Sequence, residues 1–310
     1  MSRRVQPAKV ALIAAVGLLA VVGCQSTTGI DRTYLKTNSL PAGENLKADT
    51  GGCHPAIEDF KNWVSGDAEC FAIKTYRSRK VFQSSPTLVV AVHGDGAYGA
   101  AADNAPQKWI DQIETYIVPD DAFRASDTII VVIARSGYPI ANVGRSTGYR
   151  PEPNGRRATY RSSYARTIMA ATKRLSDTYN ATRIVGWGSS GGSATLAIGA
   201  ALPSMFEFSD LLLGVCPCDV PTWENSHGWT NVNAQSPLDI AAKIPGQTNV
   251  ILVVGNQDRN THASLSERFL EVRKAANRPV SIVYTDGTHS TTRDTPEHVR
   301  AQLNTIVNGR

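Results

Sequence analysis

From about residue 70 onward, short β-branched apolar runs alternate with longer stretches in which apolar positions recur every three or four residues. The first pattern predicts buried strands and the second amphipathic helices. Strands are predicted at Phe71–Tyr76, Thr87–Val92, Thr128–Ala134, Arg183–Trp187, Leu211–Cys216, Asn249–Val254 and Val280–Tyr284. A helix is predicted at Asp103–Tyr116, with Asp103 or Asn104 as cap and Pro106 in its first turn. Another covers Tyr160–Tyr179, where Tyr164, Ile168, Ala171 and Leu175 share one face; further helices fall at Ser193–Leu202, His262–Ala276 and Thr295–Val307. Two stretches show neither period: a Gly-, Pro- and Arg-rich loop from Arg135 to about Arg157, and an irregular insertion from Pro217 to Pro237. Strands and helices in alternation predict an α/β fold, a mostly parallel central sheet flanked by helices on both faces. No internal repeat and no composition break divides residues 51–310, which read as one domain.

The N-terminus is patterned differently. Arg3, Arg4 and Lys9 lead into an apolar run from Val10 to Val22, too short to span a bilayer comfortably. Together with Gly23 this is the pattern of a secretory signal. Val21-Val22-Gly23-Cys24 resembles the lipobox of bacterial lipoproteins. The resemblance implies that residues 1–23 are a cleaved signal peptide, that Cys24 carries lipid, and that the protein is held in the bacterial cell envelope. Gln25, in place of Asp, points to the outer membrane in a Gram-negative host. An uncleaved anchor, or an ordinary signal peptide cut nearby, is the alternative. The polar residues 24–50 read as a flexible tether.

The net charge is +5, and the three basic residues of the signal segment account for most of it. No basic run is interleaved with aromatics, so nucleic acid is not an expected partner. The densest basic patch, Arg150, Arg156, Arg157 and Arg161, reads as a solvated loop and helix start or as a grip on an acidic substrate. Five cysteines suit export. Besides Cys24 they are Cys53, Cys70, Cys216 and Cys218, which allow three pairings. Cys53–Cys70 is the most natural, and a loop of that size stabilises by roughly 3 kcal/mol. Cys216 and Cys218 could bridge each other across Pro217 or reach the first pair. A zinc site joining them to His227 is disfavoured by export and by the lack of a second thiol pair. No metal or cofactor is expected.

The chemistry concentrates at Gly188-Ser189-Ser190-Gly191-Gly192. This G-x-S-x-G pattern lies between a predicted strand and a predicted helix. A serine raised on so sharp a turn needs glycine on both sides, and the helix N-terminus behind it offers backbone N–H groups to negative charge. A serine hydroxyl is a weak nucleophile that needs a base and a group to orient the base. Asp258 follows the strand Asn249–Val254, and His289 follows the last strand.

Four ordered motifs make residues 71–308 similar to the α/β-hydrolase superfamily: Val92-His93-Gly94-Asp95-Gly96, the turn at Ser190, Gly255-Asn256-Gln257-Asp258 and Gly287-Thr288-His289. Ser236-Pro237-Leu238-Asp239 resembles dienelactone-hydrolase and prolyl-oligopeptidase-like members. The resemblance implies Ser190 as nucleophile, His289 as general base and acid, and Asp258 as its orienting partner. It also implies an oxyanion hole from Gly191 and from Asp95 or Gly94, with His93 in a structural role. Ser189 competes for the nucleophile's place and Asp219 for the acid's, while Asp286 reads as shaping a turn. His54, His227, His262 and His298 read as packing or surface residues, although His227 could line the way to the site. Trp109, Trp187, Trp223, Trp229, Tyr138 and Tyr149 are candidates for pocket wall or core. The expected activity is hydrolysis of small or medium carboxylic esters through an acyl-enzyme. A peptidase or amidase, or a non-catalytic envelope protein on the same fold, are the alternatives.

Overall fold

In a computed structural model the chain is described over residues 53, 58–67, 69–79, 85–95, 104–148, 160–203, 206–228, 234–290 and 296–308. The predicted signal peptide, Cys24 and the tether lie outside the described residues, as do His54, Gly96, Tyr149, Arg150, Arg156, Arg157 and Trp229. Among the described residues no helix is long and apolar enough to cross a membrane.

The strands of the main sheet are β1 (Trp63–Ser65), β2 (Cys70–Arg77), β3 (Thr87–Val92), β4 (Thr128–Ile133), β7 (Arg183–Ser189), β8 (Asp210–Gly214), β9 (Asn249–Gly255) and β10 (Val280–Thr285). They lie in the order β1-β2-β4-β3-β7-β8-β9-β10. From β4 to β10 every pairing is parallel, and β1 and β2 add an antiparallel edge. The helices are α1 (Ala105–Gln112), α2 (Asp121–Ala125), α3 (Ser162–Tyr179), α4 (Gly191–Ala200), α5 (Val220–Ser226), α6 (Pro237–Ile240), α7 (Ala263–Ala275) and α8 (Pro296–Asn308).

Alternation along β3 builds the two halves of the core. Leu88, Val90 and Val92 join a cluster with Ile168 and Leu175 of α3, Leu196 of α4 and Phe269 of α7. Val89 and Ala91 join the opposite cluster with Trp109 and Ile110 of α1 and Val299 and Leu303 of α8. A strand covered on both faces must be apolar throughout, which is why β3, β4 and β9 read as unbroken runs.

Several features depart from the sequence expectation, among them the short helix α2, which no predicted helix covers. The helix after β3 changes at Ile113 into a π-helical turn that ends at Ile117. β1 is too short to show a period and forms because Gly66 N–H closes a turn on the Glu69 carbonyl at 2.7 Å. The loop after β4 contains a small hairpin, β5 (Pro139–Ile140) with β6 (Gly144–Arg145). The insertion from Pro217 to Pro237, read as irregular, holds α5 and the start of α6. Asp219 begins α5 by accepting the Thr222 N–H at 3.2 Å, and proline stands in the first turn of both helices. Disulfides join Cys53 to Cys70 and Cys216 to Cys218, so neither thiol of the second pair is available to a metal.

Glu69 is buried, with Ser136 and Thr167 hydroxyls donating to its carboxylate. Burial pushes its carboxyl above the ordinary range, against those two hydrogen bonds. A group whose folded pKa is raised favours the protonated fold, so the fold loses stability as pH rises through that raised value. Glu69→Gln is therefore expected to melt higher than the parent at neutral and alkaline pH. The difference should shrink in acid, as thermal midpoints measured across a pH series will show.

Candidate active site

β7 carries the chain into Ser190, whose φ of 51° and ψ of −122° lie far from helix or strand. A non-glycine residue held there stores roughly 1–3 kcal/mol of strain, which the surrounding contacts must offset. Ser190 N–H donates to the Gly214 carbonyl at 2.8 Å, and Ser193 Oγ donates to the same oxygen at 2.9 Å. Neighbouring glycines make the approach possible. A methyl group on Gly188 would lie 2.6 Å from Ser193 N, and one on Gly192 would lie 2.0 Å from the Val92 carbonyl oxygen. Ser190 is only 8% exposed and stands directly before the first turn of α4. Its neighbour Ser189 is buried and lines a separate small cavity with Trp109, Trp187 and Gln302.

Asp258 and His289 meet across the loops after β9 and β10. His289 Nδ1 is 2.9 Å from Asp258 Oδ2 and 3.0 Å from Thr261 Oγ1. The other carboxylate oxygen accepts from the backbone N–H groups of Asn260 at 2.8 Å and Thr261 at 2.9 Å. Thr261 Oγ1 donates to Oδ2 at 2.6 Å. An ionised carboxylate only accepts, so the proton on this side of the ring belongs to Nδ1 and Nε2 is left as the basic nitrogen. Burial pushes the Asp258 carboxyl up, but the hydrogen bond and charge of His289 and the hydrogen bonds of Thr261 outweigh it and hold it below the usual range. The two loops are cross-braced: Asn256 N–H reaches the Thr285 carbonyl at 2.8 Å, Gln257 N–H the Gly287 carbonyl at 2.9 Å, and Asn256 Nδ2 the Asp286 carboxylate at 3.1 Å.

Asp219 is engaged elsewhere. Besides capping α5, its carboxylate accepts from Thr222 Oγ1 at 2.8 Å and pairs with Arg268 at 2.6 Å. His227 is tied to the Trp223 carbonyl of its own helix at 2.8 Å, and His262 stands at the N-cap of α7. Trp109, Trp187, Trp223 and Tyr138 are all buried in the core.

The loop after β3 passes over the serine. A methyl group on Gly94 would be 3.0 Å from Ser190 Cβ. His93, fully buried, has Nδ1 2.6 Å from the Gly94 carbonyl, and its Nε2 accepts the Arg135 N–H at 2.9 Å. Burial, reinforced by the Arg135 charge, pushes this imidazole down to about 3, so it is neutral and donates through Nδ1. A trans peptide points its C=O and N–H in opposite directions. With the Gly94 carbonyl fixed on His93, the Asp95 N–H faces away from that ring. Arg135, Tyr138 and Tyr160 all bond to Asp95; the sequence offered only Tyr138, as pocket wall or core, and gave no sign of a role for Arg135, Tyr160 or Thr261, which only proximity in space reveals. Among the described residues no hydrogen bond joins Ser190 to His289, and the three residues share the carboxyl edge of the parallel sheet at β7, β9 and β10.

No protein-family model matches the sequence, and no curated protein matches it. Solved structures do match. The Pyrococcus furiosus esterase Pf2001 aligns with a TM-score of 0.59 at 13% identity over 80% of this chain and 90% of its own. A puromycin-hydrolysing peptidase of Mycobacterium tuberculosis aligns at 0.55 with 14% identity, over 77% of this chain and 36% of its own. Porphyromonas gingivalis dipeptidyl peptidase 4 aligns at 0.54 with 18% identity, over 80% and 35%. The fold is that of the α/β hydrolases. The mostly parallel eight-stranded sheet, flanked by helices, is what these structures share with the chain. At this level of identity the α/β-hydrolase likeness concerns the fold alone.

Proposed function

We propose that the protein is a serine hydrolase that cleaves carboxylic esters through an acyl-enzyme. The observation that carries this reading is the Asp258–His289 hydrogen bond, which fixes the imidazole with Nε2 as base, on the same sheet edge as a serine in a strained turn. In the proposed cycle His289 Nε2 takes the Ser190 proton as Oγ attacks the ester carbonyl. The imidazolium then returns the proton to the departing alcohol, and water repeats the sequence to release the acid. The nucleophile–base hydrogen bond is often long in unliganded enzymes and tightens with substrate. Gly191 N–H, at the start of α4, and Asp95 N–H are the proposed donors to the oxyanion. The esterase and peptidases with this fold favour ester or amide bonds as the target, and the amide reading is the second possibility the same geometry serves. The lipobox-like sequence supports export, lipid on Cys24 and attachment to the envelope membrane.

A fluorophosphonate probe is expected to label the parent protein and leave Ser190→Ala unlabelled, with hydrolysis of p-nitrophenyl acetate lost in the same variant. Equal labelling of both proteins would remove Ser190 from this role. A parallel panel of p-nitrophenyl esters and peptide anilides separates esterase from peptidase, and silence in both, with no labelling, would favour the non-catalytic reading.

A further inference from the structure

We infer that Arg135 and Tyr160 are positioning residues of the oxyanion hole, holding and neutralising the Asp95 carboxylate so that its backbone can serve a developing negative charge. This rests on the reading of Ser190 as nucleophile.

A carboxylate is an awkward neighbour for an oxyanion hole, yet one is present. A methyl group on Gly191 would lie 2.5 Å from Asp95 Oδ1 and 2.6 Å from Oδ2, so the carboxylate packs against the residue that follows the nucleophile. In surroundings of low polarity, bare negative charge at such a position would repel the oxyanion strongly. Each acceptor of Asp95 is instead matched to a donor. Arg135 Nη1 donates to Oδ1 at 2.6 Å, and the Tyr160 hydroxyl donates to Oδ2 at 2.5 Å. The Tyr138 hydroxyl donates to the Asp95 carbonyl at 2.5 Å. The Arg135 side chain is 7% exposed and that of Asp95 16%, so solvent screens the pair little. Tyr160 is itself fully buried with its ring edge-on to Trp223, which fixes the direction of its hydroxyl.

The same arginine acts through its backbone. Its N–H holds His93 Nε2, and the opposite ring nitrogen holds the Gly94 carbonyl. Arg135 therefore grips both flanks of the Gly94–Asp95 peptide, one through an imidazole and one through a carboxylate. The peptide plane is set from one end and the charge beside it is cancelled from the other. This arrangement acts on a charge that exists only in the transition state, so its loss should fall on kcat and spare KM.

The test compares Arg135→Met, Tyr160→Phe and each of these combined with Asp95→Asn. It uses steady-state hydrolysis of p-nitrophenyl acetate, the rate of fluorophosphonate inactivation, and circular dichroism to verify folding. Arg135→Met is expected to lower kcat and the inactivation rate about 10- to 100-fold, with KM within about threefold. Tyr160→Phe should lower kcat roughly 3- to 10-fold. Adding Asp95→Asn removes the repelling charge and should recover at least about fivefold in the Arg135→Met background and most of the smaller loss in Tyr160→Phe. A folded Arg135→Met or Tyr160→Phe with parental kcat overturns the inference. So does a loss of kcat that Asp95→Asn fails to recover, which would reduce the cluster to packing. If Arg135→Met does not fold, the Tyr160→Phe pair decides by the same criteria. A parent protein that neither turns over ester nor takes the probe at Ser190 overturns the nucleophile reading and this inference together. A labelled parent with unaffected variants overturns the inference alone.

Discussion

Asp258→Asn is expected to lower kcat for p-nitrophenyl acetate by about 10,000-fold while leaving a folded protein. The size follows from hydrogen-bond polarity rather than from lost charge alone. One oxygen of Asp258 accepts two backbone N–H groups, from Asn260 and Thr261. An asparagine must keep its carbonyl oxygen there, because turning its NH2 toward two donors would leave both unpaired in a buried site. Its NH2 then faces His289 Nδ1, which can meet a donor only by giving up its own proton. The proton moves to Nε2, and the nitrogen meant to accept from Ser190 becomes a donor. Steady-state kinetics with a circular-dichroism control measure the effect. Asp219→Asn is the contrast: it removes the Arg268 ion pair and should lower the melting temperature while sparing kcat. A larger kcat loss from Asp219→Asn than from Asp258→Asn would transfer the acid's role to the earlier loop.

Gly192→Ala is expected to lower activity by about a hundredfold or more and to destabilise the fold by about 3 kcal/mol. The added methyl would meet the Val92 carbonyl oxygen at 2.0 Å and that of His93 at 2.6 Å, and both are backbone at the end of β3. Neither can move without shifting the loop that runs over Ser190. A displacement of about 1 Å at a reacting centre costs on the order of a hundredfold in rate even where the fold survives. Gly228→Ala is the control. Gly228 has φ of 67° but nothing within 4 Å of an added methyl, so only the ordinary left-handed penalty of about 1 kcal/mol applies. Thermal melts and ester turnover distinguish the two variants, and similar behaviour in both would show that the contact of α4 with β3 is not critical.

The central strands β3, β4 and β9 were legible because burial on both faces demands unbroken apolar runs, and the turn at Ser190 because a tight crossing demands glycine. What was not legible depended on distance in space. Asp219 and Asp258 look alike locally: each follows a strand, and each receives the N–H and hydroxyl of a threonine three residues later, Thr222 or Thr261. The third partner separates them, Arg268 for one and His289 for the other, and no local pattern encodes it. The Asp95 cluster was hidden for the same reason, since Tyr160 lies 65 positions along the chain and Arg135 opens a stretch without any period. The helices between Cys218 and Ile240 are too short for periodicity, and their signals were the cap at Asp219 and the prolines.

His93 carries a consequence for behaviour in acid. Free in an unfolded chain, an imidazole takes up a proton near pH 6.5; inside the fold this one resists until about pH 3. Between those limits the unfolded chain holds a proton that the native one refuses, so acidification through that window erodes the margin of folding while the tie from ring to Gly94 stays intact. Mild acid should thus thin the population of native molecules without altering the geometry of those that remain. Inactivation from this source would grow with exposure time and disappear on prompt neutralisation, wherever refolding outruns aggregation.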